Sequence, residues 1–137
     1  MAGTNKAIGG GGFHHVAMRA KDFDAVVKFY TEGLGFREQL RWGEGDGRAI
    51  MLDSGDGSCL EVFAGGKGPA PEGTYLHVAL NTDNCDAAIC RARSAGAKVT
   101  MEPKSLAIPA NPPMPVRIAF CTGPEGETIE FFQLEKK

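Results

Sequence analysis

An internal duplication constrains this chain more than any other feature of its sequence. The segment His15–Met18 (HVAM) returns 62 residues later as His77–Leu80 (HVAL). A second segment, DGSCLEVF at 56–63, returns 69 residues later as EGETIEFF at 125–132. Because each copy is too small to bury a stable core alone, we expect the two copies to pack together or to exchange between chains.

Each copy predicts one strand, one helix and three further strands. In the first copy, alternation from Phe13 predicts a strand, and Asp22 is a good N-cap for the helix that follows. The apolar stripe of this helix consists of Phe23, Val26, Val27, Tyr30 and Leu34. Three short apolar runs between Gly-rich turns follow, at 36–42, 48–53 and 58–64. In the second copy, Asn84 takes the place of the cap. The predicted fold class is α+β, with two tandem βαβββ modules.

Segments rich in glycine and proline set the predicted boundaries. We expect a flexible leader at 1–12 and a single domain at 13–134, made of module one at 13–64, a linker at 65–73 and module two at 74–134. The larger offset of the second repeat means that module two contains seven extra residues. Five prolines place them in the stretch 102–115, which is predicted to be a loop without regular structure.

Charge and cysteine content exclude several classes of partner. The chain has a net charge of -2 and no block of Lys or Arg, which argues against nucleic acid or an anionic membrane surface. No apolar run approaches the roughly 20 residues that span a bilayer. Four cysteines without CxxC spacing indicate a reduced, cytoplasmic protein whose thiols are mostly core residues. Small molecules and proteins remain as partners, and the expected substrate is a small molecule.

Strand alternation places four polar residues on the faces that the helices leave uncovered: His15 and Glu61 in module one, His77 and Glu130 in module two. The same alternation predicts that His14 turns away from His15. Carboxylates and imidazoles on one surface favour a divalent cation such as nickel, zinc, cobalt, manganese or iron. Four protein ligands around an octahedral metal leave two positions for water or substrate, which is typical of catalysis.

The motifs that carry these residues resemble those of a known family. They are His15-Val16-Ala17, the segment FYTEGLGF at 29–36, Glu61, His77-Val78-Ala79 and the segment GPEGETIE at 123–130. Together they are similar to the vicinal oxygen chelate superfamily, which includes glyoxalases, bleomycin-resistance proteins and dioxygenases. The resemblance implies two βαβββ modules that form an incomplete barrel around one metal, with a homodimer often completing the cleft. The spacing fits a site within one chain and a site shared between two chains equally well.

Within that superfamily, the ligand set resembles the short bacterial glyoxalase I, or lactoylglutathione lyase. This implies isomerisation of a 2-oxoaldehyde–thiol hemithioacetal to a 2-hydroxyacyl thioester through a metal-bound enediolate, with Glu130 as the base and Glu61 as its partner. Arg19 matches a residue that binds the carboxylate of glutathione. The chain departs from the pattern at Gly65, where an asparagine usually helps to hold glutathione. The expected cosubstrate is therefore glutathione or another thiol.

Other reactions of the superfamily are the alternatives: an acyl-CoA epimerase, a thiol transferase or, with iron, a dioxygenase. A further alternative is a binding protein of the bleomycin-resistance type. The aromatic residues Trp42, Phe63 and Phe132 fit an apolar pocket lining and ordinary packing equally well.

Overall fold

The structure is a computed structural model that describes residues 4, 6, 7, 9, 13–69, 77–109 and 112–136. Most of the predicted leader and positions 70–73 of the predicted linker lie outside the described residues.

Two four-stranded sheets with one helix each make up the described chain. The elements are β1 (His15–Arg19), α1 (Phe23–Lys28), β2 (Arg37–Trp42), β3 (Ala49–Asp53), β4 (Cys59–Phe63), β5 (Val78–Asn81), α2 (Cys85–Ser94), β6 (Lys98–Ile108), β7 (Met114–Thr122) and β8 (Thr128–Leu134). The strand orders are β1-β4-β3-β2 and β5-β8-β7-β6, and in each sheet the first pair is parallel. The predicted α+β class with two βαβββ modules is confirmed.

Both helices begin at the predicted caps. The Asp22 carboxylate accepts a hydrogen bond from the backbone of Ala25, and the Asn84 side chain accepts one from Ala87, each at 3.0 Å. These bonds satisfy donors that the first turn of a helix leaves free. A π-helical turn, Phe29–Gly33, continues α1. No helix in the described ranges is long and apolar enough to cross a membrane.

One hydrophobic core joins the two modules. The predicted stripe of α1 contributes Phe23, Val26 and Tyr30, and α2 contributes Ile89 and Ala92, all buried in the same cluster. One face of each sheet packs against this helix layer. We call the opposite face of each sheet its open face.

The prediction of an irregular loop at 102–115 is wrong. The strands β6 and β7 continue through most of this stretch as a long hairpin. Pro103 is tolerated because β6 is an edge strand and its pairing register shifts between Met101 and Lys104, so the missing N–H breaks no regular ladder. Pro115 lies near the start of β7, where its carbonyl accepts a hydrogen bond from Glu135 at 3.0 Å.

Candidate metal centre

The first histidine and carboxylate meet on the open face of module one. The parallel strands β1 and β4 place Ala17 opposite Glu61, which puts His15 on the same face one step along the strand. The Nε2 atom of His15 lies 3.6 Å from Oε2 of Glu61. The small side chain of Ala17 leaves this approach open.

The second pair repeats this arrangement on the open face of module two. Ala79 of β5 is opposite Glu130 of β8, and His77 lies directly before β5. The Nε2 atom of His77 lies 2.9 Å from Oε2 of Glu130. The ring of Phe120 meets the His77 ring edge to face at 5.5 Å and supports it from β7.

Each pair combines a buried carboxylate with a more exposed imidazole. Glu61 and Glu130 are only 8% and 7% exposed, whereas the imidazoles are about two-fifths exposed. Within the described ranges, the only ion-pair partner of each carboxylate is its own histidine. Burying a carboxylate is costly unless a positive charge compensates it. One imidazole nitrogen and one carboxylate oxygen per pair suit a first-row divalent metal, so the donor chemistry fits the predicted ligand set.

The four predicted ligands do not form one cluster in a single chain. Among the described residues, no group of three or more His, Cys, Asp or Glu side chains could hold a metal ion. His15 and His77 line a common cleft of about 500 Å³ together with Val16 and Val78, but Glu61 and Glu130 are not among its lining residues. Each module therefore offers half of a four-ligand set.

The histidine of each half-site lies on or directly before an edge strand, β1 for His15 and β5 for His77. Within the described part of the chain, β1 pairs only with β4 and β5 pairs only with β8. Apolar side chains remain exposed here: Val16 is 43% exposed, Val78 38% and Phe13 90%. Unpaired edges flanked by apolar residues are typical of surfaces that meet another chain.

His14 departs from its predicted orientation. It precedes β1, so strand alternation does not govern it, and its ring lies edge to face against His15. The two Nδ1 atoms are 2.9 Å apart, within hydrogen-bond distance. Sequence reasoning missed this contact, although two adjacent histidines at the start of a strand were the available signal.

Arg19 lies on the open face of module one, as predicted, and is partly engaged within the chain. Its Nη1 donates to the carbonyl of Ala64 at 3.1 Å, and its guanidinium lies 5.4 Å from the ring centroid of Phe63. Phe63 in turn meets Trp42 edge to face at 6.2 Å. Among the described residues, the Ala64 carbonyl is the only hydrogen-bond acceptor of this guanidinium.

The local backbone explains why position 65 is glycine, where the resemblance leads us to expect asparagine. The φ angle of Gly65 is +79°, a backbone conformation that residues other than glycine rarely adopt. A Cβ at this position would lie 3.0 Å from the carbonyl oxygen of Asp46. An asparagine would require this turn to shift.

Three of the four thiols are buried, in agreement with the predicted packing role of Cys59 and Cys121. Burial raises the pKa of Cys121 to about 11, which keeps this thiol protonated at neutral pH. Cys90 is exposed on α2.

The chain is similar to known proteins in both sequence and fold. A model of the Glyoxalase/Bleomycin resistance protein/Dioxygenase superfamily matches residues 12–131. An uncharacterised protein of Bacillus subtilis (strain 168), YwbC, is 30% identical over 87% of this chain and 94% of its own length. A probable lactoylglutathione lyase of Vibrio parahaemolyticus is 31% identical over 87% and 88%. TnmS3, an antibiotic-binding protein from Streptomyces sp. CB03234, shares the fold with a TM-score of 0.67 at 23% identity, over 91% of this chain and 97% of its own.

Proposed function

The chain belongs to the glyoxalase/bleomycin resistance protein/dioxygenase superfamily, and from that premise we propose that it is a metal-dependent lyase or isomerase of the glyoxalase I type. Its substrate would be the hemithioacetal of a 2-oxoaldehyde and a thiol, and its product a 2-hydroxyacyl thioester. The observation that carries this proposal is the pair of equivalent half-sites, each with an exposed imidazole beside a buried carboxylate. The similarity to a probable lactoylglutathione lyase supports it.

The complete site would form between two copies of the chain. His15 and Glu61 of one copy would face His77 and Glu130 of the other, giving two such sites in a symmetric dimer. The unpaired edges of β1 and β5, with exposed Val16 and Val78, support this assembly. The four donors would then hold one divalent metal. When bound, that metal would polarise the two vicinal oxygens of the substrate and stabilise negative charge on them.

The protein side of the reaction is a proton transfer between adjacent carbons. Glu130 would take the proton from the thiol-bearing carbon, and the adjacent carbonyl carbon would receive a proton. The hydroxyl proton of the hemithioacetal would pass to the oxygen of that former carbonyl, so the isomerisation involves no net gain or loss of protons or electrons. Glu61 would lie on the opposite side of the substrate as the second carboxylate. Because both glutamates are more than nine-tenths buried, little water surrounds them to compete for the proton.

The decisive assay loads the purified protein with nickel, cobalt or zinc and supplies methylglyoxal with glutathione or another thiol. We expect the thioester to form with at least one metal, and Glu130→Gln to abolish turnover while the protein remains folded. A matched control is Glu32→Gln, which changes an exposed carboxylate outside the pairs. Tight metal binding without turnover for any metal and thiol would exclude the glyoxalase reaction.

A binding protein is the second candidate, because one open face also carries aromatic surface. Trp42 is 39% exposed and lies beside Phe63 in module one. Such a surface suits stacking of a flat ligand, and the antibiotic-binding TnmS3 has the same fold. Stoichiometric binding of an aromatic compound that does not change with Glu130→Gln, in protein without metal, would favour this candidate.

A further inference from the structure

The turn before β8 is joined to α1 by two hydrogen bonds between the modules. Glu125 accepts one from the backbone of Asp22, and Glu127 accepts one from the hydroxyl of Tyr30, each at 2.9 Å. Because the sequence is duplicated, each of these four residues has a counterpart in the other copy. The same contact could therefore occur a second time, between the turn before β4 and α2.

The second contact is not made, because the counterpart side chains are too short. The counterparts are Asn84 and Ala92 on the helix side, and Asp56 and Ser58 in the turn. Ala92 has no hydroxyl to donate, and Ser58 has no carboxylate to accept. The backbone N–H of Asn84 donates to the side chain of Thr82 at 3.1 Å instead. Within the described ranges, no hydrogen bond joins the turn before β4 to α2.

A cavity of about 410 Å³ lies where the second contact is missing, between the turn before β4, β5 and α2. Its apolar wall includes Phe36, Leu80 and Phe131, and the two phenylalanines belong to the core. Among the described residues, the charged groups that line it are Asp56 and Arg91 alone. We call this space the seam cavity. Its volume is in the range of about 300–1,000 Å³ that is typical of small-molecule sites.

The two charged groups of the seam cavity have opposite signs and form no ion pair with each other. The Nε atom of Arg91 donates to the carbonyl of Gly33 at 2.7 Å, and this carbonyl is the only acceptor of the guanidinium among the described residues. The Asp56 carboxylate accepts from Ser54 and Ser58 through Oδ1. The hydrogen bonds from Ser58 hold the pKa of Asp56 below its ordinary value, so this carboxylate is ionised at neutral pH. A positive and a negative group therefore line one cavity without neutralising each other.

We propose that the seam cavity binds a free α-amino acid with an apolar side chain. Arg91 binds the carboxylate of this ligand, Asp56 binds its ammonium group, and the apolar wall holds its side chain. A zwitterion supplies one partner for each charge, whereas a simple anion or a simple cation leaves one of them unpaired. A polar side chain would lose its hydration against Phe36 and Phe131 without gaining hydrogen bonds.

The proposed site is separate from the two half-sites. None of His15, Glu61, His77 and Glu130 lines the seam cavity. Arg91, in turn, does not line the cleft that His15 and His77 share. Binding of the amino acid needs no metal, so the inference goes beyond the proposed function and is testable in protein without metal.

Leucine and two analogues test the proposal: 4-methylpentanoate lacks its ammonium group, and 3-methylbutylamine lacks its carboxylate. We expect calorimetry on metal-free protein to show that leucine binds at least about tenfold more tightly than either analogue, because each lacks one charge-assisted hydrogen bond. Asp56→Asn should remove the advantage over 4-methylpentanoate, and it keeps an oxygen for the N–H of Ser58. Arg91→Gln should remove the advantage over 3-methylbutylamine.

Ala88→Leu provides a variant that keeps both charges. Ala88 lines the seam cavity from α2, so the larger side chain should fill the space and abolish leucine binding. Glycine, which has no side chain for the apolar wall, should bind at least about tenfold more weakly than leucine. The matched control is Asp46→Asn, an exposed carboxylate that does not line the cavity, which should bind leucine as wild type does.

Three results would overturn the proposal, and none of them bears on the metal chemistry. The first is equal affinity of wild type for leucine and 4-methylpentanoate. The second is leucine binding that Asp56→Asn and Arg91→Gln leave unchanged. The third is leucine binding that persists in Ala88→Leu, because it would place the ligand outside the seam cavity.

Discussion

The hydroxyl of Tyr30 in module one donates a hydrogen bond of 2.9 Å to Oε1 of Glu127 in module two, across 97 residues of sequence. Tyr30 is buried and belongs to the shared core. The other carboxylate oxygen of Glu127 accepts from the backbone of Glu125 at 2.9 Å. Glu125 in turn accepts from the backbone of Asp22, so the turn before β8 is attached to the start of α1. These contacts hold the two half-sites in a fixed relation.

Replacing Tyr30 with phenylalanine removes the donor and keeps the ring in place. We expect the free energy of unfolding to fall by about 1–3 kcal/mol, because the half-buried Glu127 carboxylate loses a partner. Urea unfolding followed by fluorescence measures the change. Thr31→Val is the control, since the Thr31 hydroxyl donates to the Val27 carbonyl one helical turn earlier and its loss should cost less. Equal losses of unfolding free energy in the two variants would show that the contact between modules adds no stability.

Glu127 also predicts a pH dependence of stability. Burial raises the pKa of Glu127 above its ordinary value, so the folded state binds this proton more tightly than the unfolded state. The stabilisation from protonation is complete below the unfolded pKa, about 4.3, and is lost as pH rises through the raised folded pKa. Wild type should therefore lose stability relative to Glu127→Gln as pH rises from about 4 to 7. Parallel pH profiles of the two proteins would contradict this assignment.

The contact between His14 and His15 predicts the tautomer of His15, a proposed metal ligand. For Nε2 of His15 to bind a cation, the proton must be on Nδ1, where His14 Nδ1 can accept it at 2.9 Å. We expect His14→Ala to weaken metal binding by about 10–100-fold, as loss of an orienting partner does. His14→Asn, whose side-chain oxygen can accept the same proton, should restore part of the affinity. Nitrogen NMR of the His15 ring reports the tautomer directly, and an unchanged spectrum in His14→Ala would disprove the role.

Much of the fold could be predicted from the sequence because its signals are local or repeated. The caps Asp22 and Asn84 and the open-face positions of Glu61 and Glu130 follow from helix and strand periodicity. The hairpin at 102–115 could not, because edge pairing and bulges at Pro103 decide it rather than local preference. Nor could sequence spacing show that one chain holds two pairs instead of a quartet, since repeats place equivalent residues on each sheet without fixing how the sheets meet.

Replacing Arg19 should change the KM for glutathione and not the KM for an uncharged thiol. Its guanidinium has one bond to Ala64 and stacks on Phe63, which leaves donors for a carboxylate on the same face as Glu61. In the proposed reaction, Arg19→Met should raise KM for glutathione by about 10–100-fold, the value of a charge-assisted hydrogen bond. KM for an uncharged thiol such as 2-mercaptoethanol should not change. A similar increase for both thiols would indicate loss of packing against Phe63.

Mixing two inactive variants distinguishes a site shared between copies from one within a chain. His15→Ala removes a proposed ligand from module one, and His77→Ala removes one from module two. If the site joins module one of one copy to module two of the other, each mixed dimer has one complete site and one that lacks both histidines. Refolding the variants together in equal amounts should therefore restore tight metal binding and activity at about a quarter of all sites, since half of randomly paired dimers are mixed.

A mixture of His15→Ala with Glu61→Gln is the control, because both changes damage the same half-site and no pairing yields a complete one. Recovery in the first mixture and none in the control is the expected result, whereas no recovery in either mixture would contradict a site shared between two copies.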